Sequence, residues 1–325
     1  MTDDATVRDF DLDTDDLDPR DLAAGDAPAI SLAADDTLDS YTRADLRKEE
    51  LEIARGFENG PLWFYPAWAV TALVVWISLF PLTMSGQLNL FVACAIASFI
   101  AAGGFVTGHE AYHDNMVREG GKYRRLNDFT GTISCIPILL PYSVGKLTHI
   151  RHHRFTNHPE HDPDYEDWGH NFWHAAWRSW LGRQPRGAGS LAAYRRTLQA
   201  MDTPASRKAL REGAIFQLVY LGTLFTMAWS GYALEAAMVW WIPRHVGLWF
   251  IRLSLSWAPH HPRKDQSRYG NARIMKSPIG NFLAMGMEVH MIHHLYPKIP
   301  HHRTKPAYFA LKPVLEKRGV DCSAL

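Results

Sequence analysis

The sequence LNLFVACAIASFIAAGGFVTGHEAYH, residues 88–113, decides the fold because it joins an apolar run directly to a pair of histidines. Its first part, 88–108, holds roughly 20 residues without a charge, the length of a helix that crosses a hydrocarbon core of about 30 Å. PLWFYPAWAVTALVVWISLFPL, residues 61–82, is a second such run, and the short uncharged segment TMSGQ joins the two. The pattern predicts a hairpin of transmembrane helices, with a buried hairpin of a soluble protein as the alternative.

A second, less regular hairpin is predicted further along the chain. Residues 214–232 form an apolar run, whereas 235–257 contain Pro243, Arg244 and Arg252. Proline interrupts helices, and a charge within a membrane is costly unless it faces the protein interior. We therefore expect this fourth span to be kinked or tilted, with arginines that meet partners or extend to the interface.

The distribution of basic residues predicts the orientation. The two proposed outside turns carry no Lys or Arg, whereas 116–211 and the region beyond 262 are rich in both. By the positive-inside rule these regions and both chain ends are cytoplasmic, at the inner membrane. The predicted fold class is all-α integral membrane, with about four transmembrane helices in two hairpins and a cytoplasmic helical cap. Because this pattern accounts for the basic residues, we expect no nucleic-acid partner.

The net charge of zero hides an acidic segment beside a basic body. Residues 1–40 hold 13 Asp and two Arg, so the remaining chain carries 32 basic against 21 acidic residues. The predicted division is a disordered acidic tail (1–40), an amphipathic helix that is interfacial or simply solvated (41–60), a membrane domain (61–318) and a C-terminal tail (319–325). Three scattered cysteines are too few for a disulfide framework.

Three histidine motifs carry the predicted chemistry. HEAYH (109–113) has the i, i+4 spacing, and HIRHH (149–153) and HMIHH (290–294) have i, i+3 and i+4, so each motif presents rings from one side of a helix. His260 follows the fourth apolar run directly. All four groups fall on the predicted cytoplasmic side. Eight or nine imidazoles exceed the six positions of one octahedral ion, which predicts two ions. Iron is favoured among metals that take nitrogen ligands, because oxidising a water-insoluble substrate requires redox chemistry.

Two other classes of protein remain as alternatives. HEAYH fits the HExxH pattern of zinc metalloproteases, in which Glu110 would be the general base, and this predicts an intramembrane protease. That hypothesis leaves the two HxxHH motifs unexplained. A non-catalytic metal-binding or haem-binding membrane protein is the other alternative, and it does not explain three motifs on one side of the membrane.

With these motifs, residues 60–318 resemble the membrane fatty acid desaturase superfamily. The resemblance implies two iron ions, O2 as co-substrate, a membrane lipid or carotenoid substrate, and electrons from a ferredoxin or a cytochrome b5-type donor. It also implies a set of metal ligands in this chain: His109, His113, His149, His152, His153, His260, His290, His293 and His294.

Within that superfamily, two stretches look most like bacterial and cyanobacterial β-carotene hydroxylases. They are HHRFTNHPEHDPDYEDW (152–168) and the region from WAPHHP (257–262) to the C-terminal helix. The function predicted from this resemblance is carotenoid ring hydroxylation, with acyl-lipid desaturation or hydroxylation as the alternative. HEAYH stands where HDxxH is commoner, which leaves the substrate class open.

Several polar residues near the motifs are expected to orient the imidazoles by accepting their second N–H group. The same residues also fit solvated loop or capping roles. They are Asp114, Asn157, Asp162 and Asp164, with Glu110 as a further candidate. His158, His161, His301 and His302 are expected at the surface or around the ligands rather than among them.

Overall fold

The computed structural model describes residues 38–58, 60, 62–184, 189–262 and 264–325. Within these ranges the chain is helical and has no β-strand, as predicted. Most of the predicted acidic tail, residues 1–37, lies outside the described residues. The first eight helices are α1 (Ser40–Glu58), α2 (Phe64–Met84), α3 (Leu90–Tyr112), α4 (Arg124–Ser134), α5 (Tyr142–Phe155), α6 (Phe172–Leu181), α7 (Ser190–Met201) and α8 (Pro204–Trp229).

The rest of the chain contains six shorter or later helices. These are α9 (Ala233–Ala236), α10 (Ile242–Phe250), α11 (Ala258–His260), α12 (Gly280–Leu283), α13 (His290–Leu295) and α14 (His301–Lys317). Two π-helical segments, Ala237–Trp241 and Ile251–Trp257, connect α9, α10 and α11 into one helical run.

The first predicted hairpin is formed by α2 and α3. Asn89 caps α3 by accepting hydrogen bonds from the amides of Phe91 (2.8 Å) and Val92 (3.4 Å). Within the described part of the chain, α2 and α3 are the two helices that are long and apolar enough to cross a membrane, judged by length and composition. Phe91 is 77% exposed and Val74 58% exposed. Apolar side chains exposed over the length of such helices indicate contact with lipid or with another apolar surface.

The second predicted hairpin corresponds to α8 and the helical run from α9 to α11. Helix continues through Pro243, and the kink or tilt expected of this span stays a prediction. Pro243 occupies the first turn of α10, directly after a π-helical segment, where a missing amide hydrogen removes no regular helix bond. Arg252 meets the expected partner, since it donates to Asp164 at 2.8 Å. The count of four spans stays a prediction.

The run from α9 to α11 packs closely on α3. Gly247 permits this approach, since a Cβ atom there would lie only 2.8 Å from the Cβ of Ala101. A side chain larger than hydrogen at position 247 would push the two helices apart. The helical run that ends at His260 is therefore in direct contact, through α10, with the helix that ends at the first histidine motif.

At the other end of the chain, α1 packs against α14. Leu46, Glu50 and Ala54 form its buried face, at the i, i+4 spacing of a helix. Glu50 is fully buried, is paired with Arg318 and accepts a hydrogen bond from Tyr296 at 2.6 Å. This contact ties α1 to the segment that directly follows the third histidine motif. Whether the α1 helix also touches a membrane surface stays a prediction.

Candidate metal centre

The first histidine motif ends α3, and small residues fix its position. A Cβ atom at Gly108 would overlap the Sγ atom of Cys135, and one at Gly104 would overlap the carbonyl oxygen of Ser134. The end of α3 therefore lies directly against the end of α4. His109 and His113 project from this anchored end and are 4% and 1% exposed.

The second and third motifs lie on α5 and α13. In each of these helices the three histidines are divided between two sides of the helix and do not all face one place. His149 and His153 are one turn apart and point to the same place, while His152 points to another. The third motif divides in the same way, with His293 on one side and His290 and His294 on the other.

Five imidazoles form the first group, in which all the ligand atoms lie within 4.8 Å of one another: His109, His113, His149, His153 and His293. Three of the contacts join Nε2 atoms of different residues. The distances are 2.8 Å between His113 and His149, 3.0 Å between His149 and His153, and 3.0 Å between His153 and His293. The rings of this group come from three helices that are far apart in sequence.

Four imidazoles form the second group: His152, His260, His290 and His294. The ligand atoms of His152, His260 and His294 lie within 4.8 Å of one another. The Nε2 atom of His290 lies 3.1 Å from that of His260 and 3.0 Å from that of His294. The two groups adjoin, since the rings of His153 and His294 stack with their centroids 4.2 Å apart. The structure thus brings together all nine histidines that the sequence suggested as ligands.

Hydrogen bonds between the rings do not explain these short contacts. A neutral imidazole has a single N–H, so an Nε2 atom with two nitrogen neighbours donates to only one of them. His149 and His153 each have two such neighbours in the first group. Burial lowers the pKa of His149, His153 and His293 well below the usual range, so these rings are neutral.

A shared cation explains the same contacts. Nitrogens bound at about 2.0–2.1 Å to one ion, on neighbouring coordination positions, lie about 3 Å apart. Neutral imidazole is also the form that binds a metal. In four of the rings the other nitrogen, Nδ1, is buried and has no hydrogen-bond partner among the described residues: His109, His113, His290 and His293. The donor set therefore fits two metal ions with nitrogen ligands.

Asp162 contacts an imidazole of the second group directly, whereas Asn157 contacts the group only through a backbone carbonyl. The Oδ1 atom of Asp162 lies 2.9 Å from Nδ1 of His152, which leaves Nε2 of that ring to face the group. The side chain of Asn157 donates to the carbonyl oxygen of Asn271 at 2.8 Å, and Nδ1 of His260 lies 2.9 Å from the same oxygen. These contacts join the segments that contain Asn157, His260 and Asn271, beside the histidines His152 and His260.

Asp164 and Asp114 have different surroundings. Asp164 bonds to Arg252 and lies 4.0 Å from Nδ1 of His152, so its contact with the ring is longer than a hydrogen bond. Asp114 accepts from Lys146 at 2.9 Å and from Asn127 at 3.0 Å. Its expected contact with an imidazole is not among the interactions of the described residues, because these cationic and amide donors occupy the carboxylate.

His301 is closer to the centre than the sequence suggested. It is buried, its ring lies 4.9 Å from that of His109, and its Nδ1 and backbone amide both bond to Glu110 at 3.0 and 3.1 Å. Glu110 is fully buried and also accepts from Asn115. The only sequence signal was the proximity of HHLYPKIPHH to the third motif, and that signal does not distinguish His301 from His302.

A cavity begins at the histidines and continues between apolar side chains. Its wall includes His109, His149 and His290, followed by Phe105, Leu248 and Leu255. It encloses about 990 Å³ of empty space, counted out to its open mouth.

Comparison with known proteins shows which family this chain is similar to. A family model described as "Fatty acid desaturase" matches residues 85–325. The sn-2 acyl-lipid omega-3 desaturase (ferredoxin), chloroplastic, of Helianthus annuus is 23% identical over 244 residues, which cover 66% of this chain and 53% of that protein. The omega-3 fatty acid desaturase fat-1 of Caenorhabditis elegans is 24% identical over 240 residues, covering 65% and 58%.

A further relative is named a conjugase rather than a desaturase. The fatty acid conjugase FAC2 B of Calendula officinalis is 24% identical over 274 residues, which cover 70% of this chain and 71% of that protein. The chain spans a little over half the length of the desaturases of Helianthus annuus and Caenorhabditis elegans. All these relatives act, by their names, on fatty acids or acyl lipids.

Proposed function

The chain belongs to the fatty acid desaturase family, and from that premise we propose that it uses O2 and a pair of iron ions to oxidise C–H bonds of a membrane lipid. The observation that carries this proposal is the meeting of nine imidazoles in two adjoining groups. Both groups line or adjoin a cavity with apolar walls. A bound iron pair supplies the activation of O2 and the oxidising power that an unactivated C–H bond requires.

The division of the histidines suggests which residues hold each ion. His109, His113, His149, His153 and His293 would hold one, and His152, His260, His290 and His294 the other. Asp162 keeps the proton of His152 on Nδ1 by accepting a hydrogen bond from it, so that Nε2 carries no proton and would bind the ion. Phe105, Leu248 and Leu255 exclude water from the neighbouring part of the cavity and hold an apolar chain beside the histidines.

The same geometry argues against the zinc protease. In that hypothesis Glu110 must reach a water molecule on the metal. Its carboxylate is instead fully buried and engaged by His301 and Asn115. A role in fixing the position of His301, beside His109, fits these contacts better than a role as a general base.

A membrane location follows from the proposed reaction. We infer four spans, formed by α2, α3, α8 and the run from α9 to α11, with the histidines at the cytoplasmic ends of α3 and α11. The exposed apolar residues of α2, α3 and α8, among them Trp229 at 83%, support this arrangement. The excess of basic residues on the side of the histidines supports a cytoplasmic centre in the inner membrane.

The substrate we favour is an acyl chain, since the named relatives act on fatty acids or acyl lipids. Carotenoid ring hydroxylation is the second candidate, and the resemblance of 152–168 to β-carotene hydroxylases favours it. Electrons would come from a ferredoxin or a cytochrome b5-type protein. The words "(ferredoxin)" in the name of the Helianthus annuus relative support the first of these.

Expression in a bacterium that makes β-carotene tests the proposal. Metal analysis of the purified protein should give two iron ions per chain, and the lipids of the same cells should contain newly unsaturated or hydroxylated acyl chains. Replacing His149 with alanine should abolish both results, whereas replacing the exposed His170 should change neither. New hydroxylated carotenoid with unchanged acyl chains would favour the second candidate. A single tightly bound zinc ion would refute both.

A further inference from the structure

The cavity extends from the histidines along one face of the helical run that ends at His260. Its wall includes Arg244, Leu248, Ile251 and Leu255, which follow one another at the spacing of a single helical face. Arg244 precedes His260 by 16 residues, which corresponds to roughly 24 Å along a helix with a rise of 1.5 Å per residue. The guanidinium group of Arg244 therefore lines the cavity far from the histidines, with Leu248, Ile251 and Leu255 between them on this helical face; Arg252 and Asp164, which pair with each other, also line the wall.

Arg244 is a buried cation whose Nε atom has no hydrogen-bond partner among the described residues. The residue is only 7% exposed, and its guanidinium lies 5.6 Å from the centre of the Tyr220 ring. The hydroxyl group of Tyr220 is also buried without a partner in the described part of the chain. Arg252, on the same helical run, differs because it bonds to Asp164 at 2.8 Å.

Such an arrangement is unfavourable in the protein alone. Burying a charge removes it from water, and the loss is offset only when an opposite charge or a hydrogen-bond acceptor replaces the water. The aromatic ring of Tyr220 offsets part of this loss through a cation–π contact. The Nε–H group of Arg244 and the neighbouring Tyr220 hydroxyl have no oxygen acceptor among the described residues, and Arg244 lines the cavity, from which one can arrive.

We propose that Arg244, assisted by the hydroxyl of Tyr220, binds the oxygenated end of an acyl chain whose other part lies along Leu248, Ile251 and Leu255 toward the histidines. This inference rests on the proposed function, because it assumes that the cavity holds the lipid substrate. A carboxylate suits the planar guanidinium best, since two parallel N–H groups bond to its two oxygens. An ester carbonyl offers one acceptor and binds less tightly.

The arrangement has two chemical consequences. A pure hydrocarbon such as β-carotene has no atom for Arg244 to bind, so the cavity selects against it relative to an acyl chain. The distance from Arg244 to the histidines is also fixed by one helical run. The carbon that reacts is therefore counted from the oxygenated end of the chain rather than from its methyl end.

Equilibrium binding to the purified protein tests the inference without any turnover. The probes are oleate, methyl oleate, 1-octadecene and β-carotene, measured anaerobically by quenching of tryptophan fluorescence. The wild-type protein should bind oleate most tightly and 1-octadecene roughly 10- to 100-fold more weakly, as expected for loss of a hydrogen bond to a charged group. Arg244→Met should remove this difference, Tyr220→Phe should reduce it, and Arg207→Met, which changes an exposed arginine paired with Asp202, should preserve it.

Thermal melting without ligand separates binding from a structural role. Arg244→Met should melt at the same temperature as the wild type or higher, because it removes a buried charge that has no acceptor. Equal binding of oleate and 1-octadecene by the wild type, tightest binding of β-carotene, or no binding of any probe would overturn the inference. So would an Arg244→Met protein that melts lower yet keeps its preference for oleate. If the purified protein contained no iron but still preferred oleate, the di-iron proposal would be refuted and the role of Arg244 would stand.

Discussion

Replacing Asp162 with asparagine is the sharpest test of the metal centre, because it changes one partner of one histidine. Asp162 is buried, and its Oδ1 atom lies 2.9 Å from Nδ1 of His152. The same carboxylate accepts the backbone amides of Asn157 at 2.8 Å and Asp164 at 2.9 Å. Every one of these partners presents an N–H group, so the side chain must accept on both oxygens.

The size of the effect follows from this donor pattern. Asparagine has the same shape, but one oxygen becomes an NH2 group that faces another N–H. In either orientation of the amide, at least one hydrogen bond is lost and the negative charge beside His152 disappears. Loss of such a partner weakens metal binding by about 10- to 100-fold. At about 1.36 kcal/mol per factor of ten, this corresponds to roughly 1.4–2.7 kcal/mol.

The assay measures iron per chain after dialysis against chelators of increasing strength. Asp162→Asn should lose iron from the group containing His152 at weaker chelators than the wild type. Asp114→Asn is the matched control, because this buried aspartate bonds to Lys146 and Asn127 instead. It should lower the melting temperature without making the iron easier to remove. Equal resistance to chelators in Asp162→Asn and the wild type, or equal weakening in both variants, would refute the assignment.

Three further predictions concern stability and reactivity. Gly108→Ala should lower the free energy of unfolding by about 1–3 kcal/mol, because the new Cβ overlaps Cys135. The control is Gly222→Ala, since nothing lies within 4 Å of a Cβ atom at that position. In the same denaturant titration it should raise the free energy of unfolding by up to about 1 kcal/mol. Glu50→Gln should destabilise by about 3–5 kcal/mol, since it breaks the buried ion pair between α1 and the C-terminal segment, whereas the exposed Glu52→Gln should change the melting curve little. Burial raises the pKa of the Cys135 thiol to about 12, against about 8.5 in an unfolded chain. Between these two pH values the native protein keeps the thiol proton and the unfolded protein loses it. The free energy of unfolding therefore falls as the pH rises through this range. At pH 9 iodoacetamide should therefore alkylate Cys135 only after denaturation, and equal rates in native and denatured protein would contradict this.

That the nine histidines lie together could be predicted from the sequence because helix geometry is local, whereas their role as metal ligands stays a prediction. The i, i+3 and i+4 spacings indicated which rings of a motif lie near one another, and the apolar runs before His109 and His260 indicated that these two residues lie at helix ends. Those inferences require only one helix at a time. The division of each HxxHH motif between two groups required the positions of the neighbouring helices, which no single spacing contains.

The supporting residues could not be predicted in the same way. Asp114 and Asp162 both follow a histidine motif, yet one meets Lys146 and the other His152. The difference depends on which residues of distant segments pack against each carboxylate. The sequence left His301 either at the surface or around the ligands for a similar reason, since its burial beside His109 arises from contacts with α3. The π-helical segment before Pro243, which lets helix continue through the proline, could not be predicted from the sequence either.

The way α5 and α13 contribute to both histidine groups has a consequence for metal loading. Each helix is a stiff rod with His149 or His293 facing one group and His152 or His294 facing the other. A rotation or shift that closes one group therefore rearranges the second as well. Filling of the first position should prepare the second, so loading is expected to be cooperative, with few chains carrying a single ion.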